Sequence, residues 1–121
     1  MDVQIIDNPQ EMKDHEIIYL NGITAKCFQK AVPLEETFEH VRGADILHLL
    51  HLNDTTIGYG LNSKLSLLGL DVNYFGSGFI DPDFQDNGYI YLLYTYALHD
   101  TSAPATGRLT RVQLNPITAD I

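Results

Sequence analysis

At 121 residues the chain has length for one folded domain, read as 1–121, with its own apolar core and not for two. Apolar residues make up 45% and charged residues 19%, a balance that excludes a mainly disordered polar chain. The formal net charge is −9, and the cations Lys13, Lys26, Lys30, Arg42, Lys64, Arg108 and Arg111 are scattered along the sequence, which argues against nucleic acid or a membrane surface as partner.

Cys27 is the single cysteine, so no internal disulfide can form, as expected of a reducing compartment. It sits in a mostly apolar stretch and reads as a small core residue. The start MDVQIIDNPQ lacks a basic region followed by an apolar run and does not read as a signal peptide. No apolar run approaches the ~20 residues that cross a bilayer. A cytoplasmic location is the expectation.

In chain order, residues 1–7 alternate as a short strand carrying Val3 and Ile5. Asn8, Pro9 and Glu11 read as a helix start, with Met12, Tyr19, Ile23 and Cys27 recurring near helical spacing beyond it. A second helix begins at Pro33, with Leu34, Phe38 and Val41 on one stripe and Gly43 as its stop. Glu35, Glu36 and Glu39 form its solvated face.

The period then changes to two. ADILHLLHL and TTIGYGL read as strands joined at Asn53-Asp54, with Ile46, His48, Leu50 and Leu52 on one face and Leu47, Leu49 and His51 on the other. His48 and His51 therefore cannot form a two-histidine metal site, and one of them faces the core. Residues 62–71 read as a turn or loop and VNYFGSGFI as a further strand, with Gly76 and Gly78 marking a bulge or a close backbone approach. YIYLLYTYALH is compatible with a helix, which would align Tyr89, Leu92, Leu93, Tyr96 and Ala97, and equally with a strand. RLTRVQL reads as a last strand, ended by Asn115-Pro116.

The stretch from Ile80 to Tyr94 carries the chemistry. Ile80, Pro82, Phe84, Gln85, Gly88 and Leu93 match an apolar-x-Pro strand end, a Gln/Arg-x-x-Gly loop and an apolar helix face. Such a loop suits anion capture, because successive backbone N–H groups at a helix N-terminus point at phosphate oxygens. The stretch resembles the central motif of the GNAT acetyltransferases, with element order agreeing over about 34–94. The resemblance implies an α/β (α+β) fold with a mixed, mostly antiparallel sheet flanked by helices. It also implies acetyl-CoA, with backbone from Gly78, Phe79 and Ile80 holding pantetheine between splayed strands. Residues Gln85, Asp86, Asn87, Gly88, Tyr89 and Ile90 would then take the pyrophosphate. Ile90 replaces the family's second loop glycine and is expected to crowd the phosphate, and Asp83 and Asp86 add negative charge, so the phosphate loop reads as weakened.

A rival resemblance covers 67–111. LLGLD, DPDFQDNGYIYLLYT and RLTRV are similar to a blade of the soluble sugar dehydrogenases that use pyrroloquinoline quinone, a reading that needs 88–98 to be a strand. As a calcium loop, Asp81-x-Asp83-x-x-Asp86 fails the EF-hand pattern, with Asp86 at the sixth place and Leu92 at the twelfth. No metal site is expected.

The acetyltransferase resemblance implies transfer of an acetyl group from acetyl-CoA to an amine. Tyr74 and Tyr91 are the candidates to protonate the leaving thiolate, and a carboxylate or water chain would take the amine proton. The acidic composition suits a cationic amine acceptor such as a polyamine or a lysine side chain. The alternative in another class is a non-catalytic acidic interaction module of the same fold.

Overall fold

The structure, a computed structural model, describes residues 2–85, 87–98 and 107–110. Strand β1 (Asp2–Ile6) leads through a 3-10 helix at Pro9–Glu11 into helices α1 (Asp14–Phe28) and α2 (Leu34–Gly43). Strands β2 (Ile46–Leu52), β3 (Thr55–Leu67) and β4 (Leu70–Ile80) follow. A second 3-10 helix at Pro82–Phe84 precedes helix α3 (Tyr89–Leu98), and β5 (Gly107–Thr110) is the last described element. The strands form one sheet in the order β1-β2-β3-β4-β5, antiparallel throughout except that β5 runs parallel to β4. This is the mixed, mostly antiparallel sheet expected from the sequence.

Helices cover both faces of the sheet. Ile17, Leu20, Ile23 and Cys27 of α1 pack with Val41 of α2 on Leu47, Leu49, Tyr59, Leu61 and Phe79. On the opposite face, Ile90 and Leu93 of α3 pack on Leu50, Ile57 and Ile80. The alternation read along β2 thus separates two cores. Double coverage also explains why ILHLL is buried without interruption, His48 included. His51 is half-buried on the α1 side, bonded to Gln4 and Thr56.

The β2–β3 turn is where the sequence places it. Asn53 and Asp54 have φ of 50° and 67°, left-handed values that match the strand twist and that Asn and Asp tolerate. The β3–β4 ladder skips Gly76, since Leu61 faces Ser77 and Asn62 faces Phe75, so the glycine marks a bulge.

Several expectations are corrected. Residues 62–67 are not loop but the end of β3, and the turn falls at Leu68-Gly69. Ser63 and Lys64 are tolerated because the β3–β4 hairpin continues beyond the end of the β2–β3 ladder, whose last residue on β3, Asn62, is buried opposite Ile46. Asn8 and Pro9 start only the first 3-10 helix; α1 begins later, where the Glu16 carboxylate accepts from the Lys13 amide at 3.0 Å. Tyr19 lies on the exposed side of α1, and the inward stripe is Ile17, Leu20, Ile23, Thr24 and Cys27. The segment from Tyr89 is a helix whose buried stripe centres on Ile90 and Leu93. The expected strand over 108–114 is described only to Thr110, and Arg111 to Pro116 and His99 lie outside the described residues. No helix among the described residues is long and apolar enough to cross a membrane.

Candidate functional site

The motif is a strand–turn–helix unit held from both faces of the sheet. At the end of β4 the side chains diverge. Phe79 turns toward α1, in edge contact with Phe28 at 5.8 Å and tilted on Tyr59 at 5.3 Å between centroids. Ile80 turns toward α3. Glycines keep the neighbouring backbone close. A Cβ on Gly58 would stand 2.7 Å from the Phe79 carbonyl oxygen, and one on Gly78 would stand 2.8 Å from Phe75 Cζ. The described β4–β5 ladder joins Val72–Phe75 to 107–110, so Gly78, Phe79 and Ile80 have no partner strand on that edge among the described residues.

The turn after β4 is built from its own polar groups. The Asp81 amide donates to the Ile57 carbonyl at 2.7 Å, and the Asp81 carboxylate caps the 3-10 helix by accepting from the Asp83 amide at 3.0 Å. The Ile80 carbonyl accepts from Cys27 Sγ at 3.2 Å and from Gln85 Nε2 at 3.4 Å. Asn87 Nδ2 donates to the carbonyls of Phe84 and Gln85 at 3.3 and 3.2 Å. Gly88 is exposed with φ of +75°, and a Cβ there would meet nothing within 4 Å. It opens α3, whose first-turn amides have no acceptor within the helix.

Ile90 corrects the expectation that it crowds an anion. Its side chain is 7% exposed and packs with Leu50, Ile57, Ile80 and Leu93, so it points into the core and leaves its amide at the helix start. Tyr89 is half-buried. Tyr74 is half-buried on β4, its ring 3.4 Å from where a Cβ on Gly76 would lie. Tyr91 is 56% exposed, on the solvent side of α3. The structure therefore places the two tyrosines on different elements. Asp86 lies outside the described residues.

Two α1 residues reach the motif from more than fifty positions away in sequence, and no local pattern marks them. Lys26 Nζ donates to the Asp81 carboxylate oxygens at 3.0 and 3.1 Å and to Asp83 at 3.2 Å. These bonds raise the Lys26 pKa, Asp81 first and Asp83 second. Cys27 is buried, and desolvation pushes its thiol up to about 12. The thiol is therefore a neutral donor. Asp81 is committed to Lys26 and to its cap. Behind Phe79, the Tyr59 hydroxyl bonds Thr24 Oγ1, and burial pushes that phenol up as well. A separate cleft of about 520 Å³, lined among others by Met12, His15, Glu16, His51 and Asp54, includes no motif residue.

No protein-family profile matches the chain, and no curated protein matches it. Solved structures do. A ribosomal-protein-alanine N-acetyltransferase from Brucella melitensis biovar Abortus 2308 superposes with a TM-score of 0.71 at 12% identity, over 96% of this chain and 83% of that one. The aminoglycoside N-acetyltransferase AAC(6')-Iy, solved in complex with CoA, gives 0.64 at 15%, over 98% and 79%. An acetyltransferase assigned to the GNAT family from Xanthomonas campestris pv. campestris gives 0.62 at 11%, over 96% and 78%. At such identities the likeness is one of fold, and the fold is that of the GNAT acetyltransferases. The dehydrogenase resemblance is not supported, because the segment it needs as a blade strand is helix α3.

Proposed function

We propose that this chain is an acyltransferase of the GNAT kind, moving an acetyl group from acetyl-CoA to an amine. The observation that carries the reading is the unit from Gly78 to Ile90. A strand edge, an exposed left-handed glycine and a helix N-terminus follow one another on a fold whose solved examples include acetyltransferases. The residues fit the ligand. Gly88 leaves open space beside the first-turn amides, and Ile90 keeps its side chain out of that space.

When bound, acetyl-CoA supplies an acyl group activated as a thioester. The chain's own groups then bind and orient. Main-chain amides across 87–90 take the pyrophosphate, with Asn87 also bracing the turn through its side chain, while the Gln85 amide is held by the Pro82 carbonyl at 3.3 Å. The β4 edge at Gly78, Phe79 and Ile80 pairs with the amide-bearing pantetheine arm, and its N–H groups polarise the carbonyl under attack. Tyr74, on the same strand, holds the proton destined for the leaving sulfur; Tyr91 is the second candidate for that role. A cationic amine is the favoured acceptor, given the net charge of −9.

The test is a backbone NMR titration with acetyl-CoA, followed over 76–98. Movement of the amides of 78–80 and 87–90 supports the reading, and release of free CoA with polyamines or lysine peptides then identifies an acceptor. With no amide movement the acyltransferase reading falls, and a non-catalytic module on the same fold remains.

A further inference from the structure

The motif turn carries an electrostatic problem for the ligand it is proposed to hold. Asp81 and Asp83 lie within seven residues of Gly88, in the turn that leads into α3, and their negative charges oppose an anion at the α3 N-terminus. Lys26 answers both. It bridges them from the last turn of α1, while the adjacent Cys27 fixes the Ile80 carbonyl. An ammonium has three N–H donors, and here three contacts go to the two carboxylates. Lys26 is thus spent on the aspartates, leaving none of its donors for a phosphate.

We propose that Lys26 is a positioning residue for the phosphate-bearing end of CoA, acting through Asp81 and Asp83 by offsetting one of their two negative charges and holding them on the α1 side of the turn. This rests on the acyltransferase reading and deepens it. It explains how a loop rich in aspartate accepts a polyanion, and it specifies which part of the ligand feels the residue. The phosphates do, and the uncharged pantetheine arm on the β4 edge does not.

The experiment compares CoA with pantetheine, which lacks the phosphates, by NMR titration of the wild type, Lys26→Met, Lys26→Arg and Asp83→Asn. Lys26→Met is expected to weaken CoA on the order of tenfold and to leave pantetheine unchanged, with the loss shrinking at high salt. Lys26→Arg restores CoA binding. Asp83→Asn, at a side chain 72% exposed and safe for folding, tightens CoA severalfold, and it decides the matter if Lys26→Met fails to fold. Equal losses of CoA and pantetheine in Lys26→Met overturn the inference, as does an Asp83→Asn variant that binds CoA no more tightly. A wild type that binds neither ligand overturns the acyltransferase reading itself.

Discussion

Ile90 Cδ1 on α3 stands 3.3 Å from the point a Cβ on Gly78 would occupy, so the first turn of the helix rests on the glycine of the motif strand. The same Cβ would lie 2.8 Å from Phe75 Cζ, inside contact distance of a fully buried ring. The distance between β4 and α3 is therefore set by the absence of a side chain at 78.

Gly78→Ala is accordingly expected to destabilise the chain by about 1–3 kcal/mol, the usual range for overpacking. Gly76→Ala is the control. Its Cβ would sit at an ordinary 3.4 Å from the Tyr74 ring, and its effect should stay within about 1 kcal/mol. Urea midpoints of the two variants check this, and equal midpoints would show that Gly78 does not set the spacing.

Ile90 tests the relationship from the helix side. Ile90→Ala removes a buried side chain from the Leu50, Ile57, Ile80 and Leu93 cluster and should cost about 2–5 kcal/mol. It should not tighten CoA, because the side chain does not face the ligand. A variant that folds normally and binds CoA more strongly would return Ile90 to the role the sequence suggests.

What could be read in advance follows from the range of the interactions. The Asn53-Asp54 turn was legible because φ values of 50° and 67° are a local property of residues that accept them. The bulge at Gly76 was legible for a similar reason. The extension of β3 through Lys64 was not, since a strand beyond its neighbour's ladder carries no alternating apolar signal. Helix or strand for Tyr89 to Leu98 was undecidable locally; burial of Ile90 and Leu93 against Leu50 and Ile80 decides it. The Lys26 and Cys27 contacts join residues 53 to 57 positions apart, and only the fold reveals them.

The hydroxyl chain behind Phe79 is a second long-range feature with a measurable size. Thr24 Oγ1 donates to the Leu20 carbonyl at 3.1 Å, which leaves the Tyr59 hydroxyl as donor to Thr24. Tyr59→Phe keeps the ring on Phe79 and deletes this bond, for an expected loss of about 1 kcal/mol. A double-mutant cycle with Thr24→Val should give a coupling of about 0.5–1.5 kcal/mol, and purely additive losses would show that the two hydroxyls do not interact.

The Cys27 thiol predicts how stability depends on alkaline pH. Desolvation raises it from an ordinary value of 9.0 to about 12 in the native state, so the native chain keeps this proton where the unfolded chain gives it up. The contribution is complete below pH 9.0, falls as pH climbs, and is lost by about 12. Burial of the Tyr59 phenol acts in the same direction. Urea midpoints should thus decline above pH 9.0, less steeply in Cys27→Ala. That variant also gives up the bond to the Ile80 carbonyl and should start from lower stability at pH 7. At pH 8 a disulfide reagent should leave the native thiol unmodified and titrate it fully in denaturant. Rapid modification of the native chain would mean that Cys27 is open to solvent, and that the contact fixing the end of β4 is not maintained.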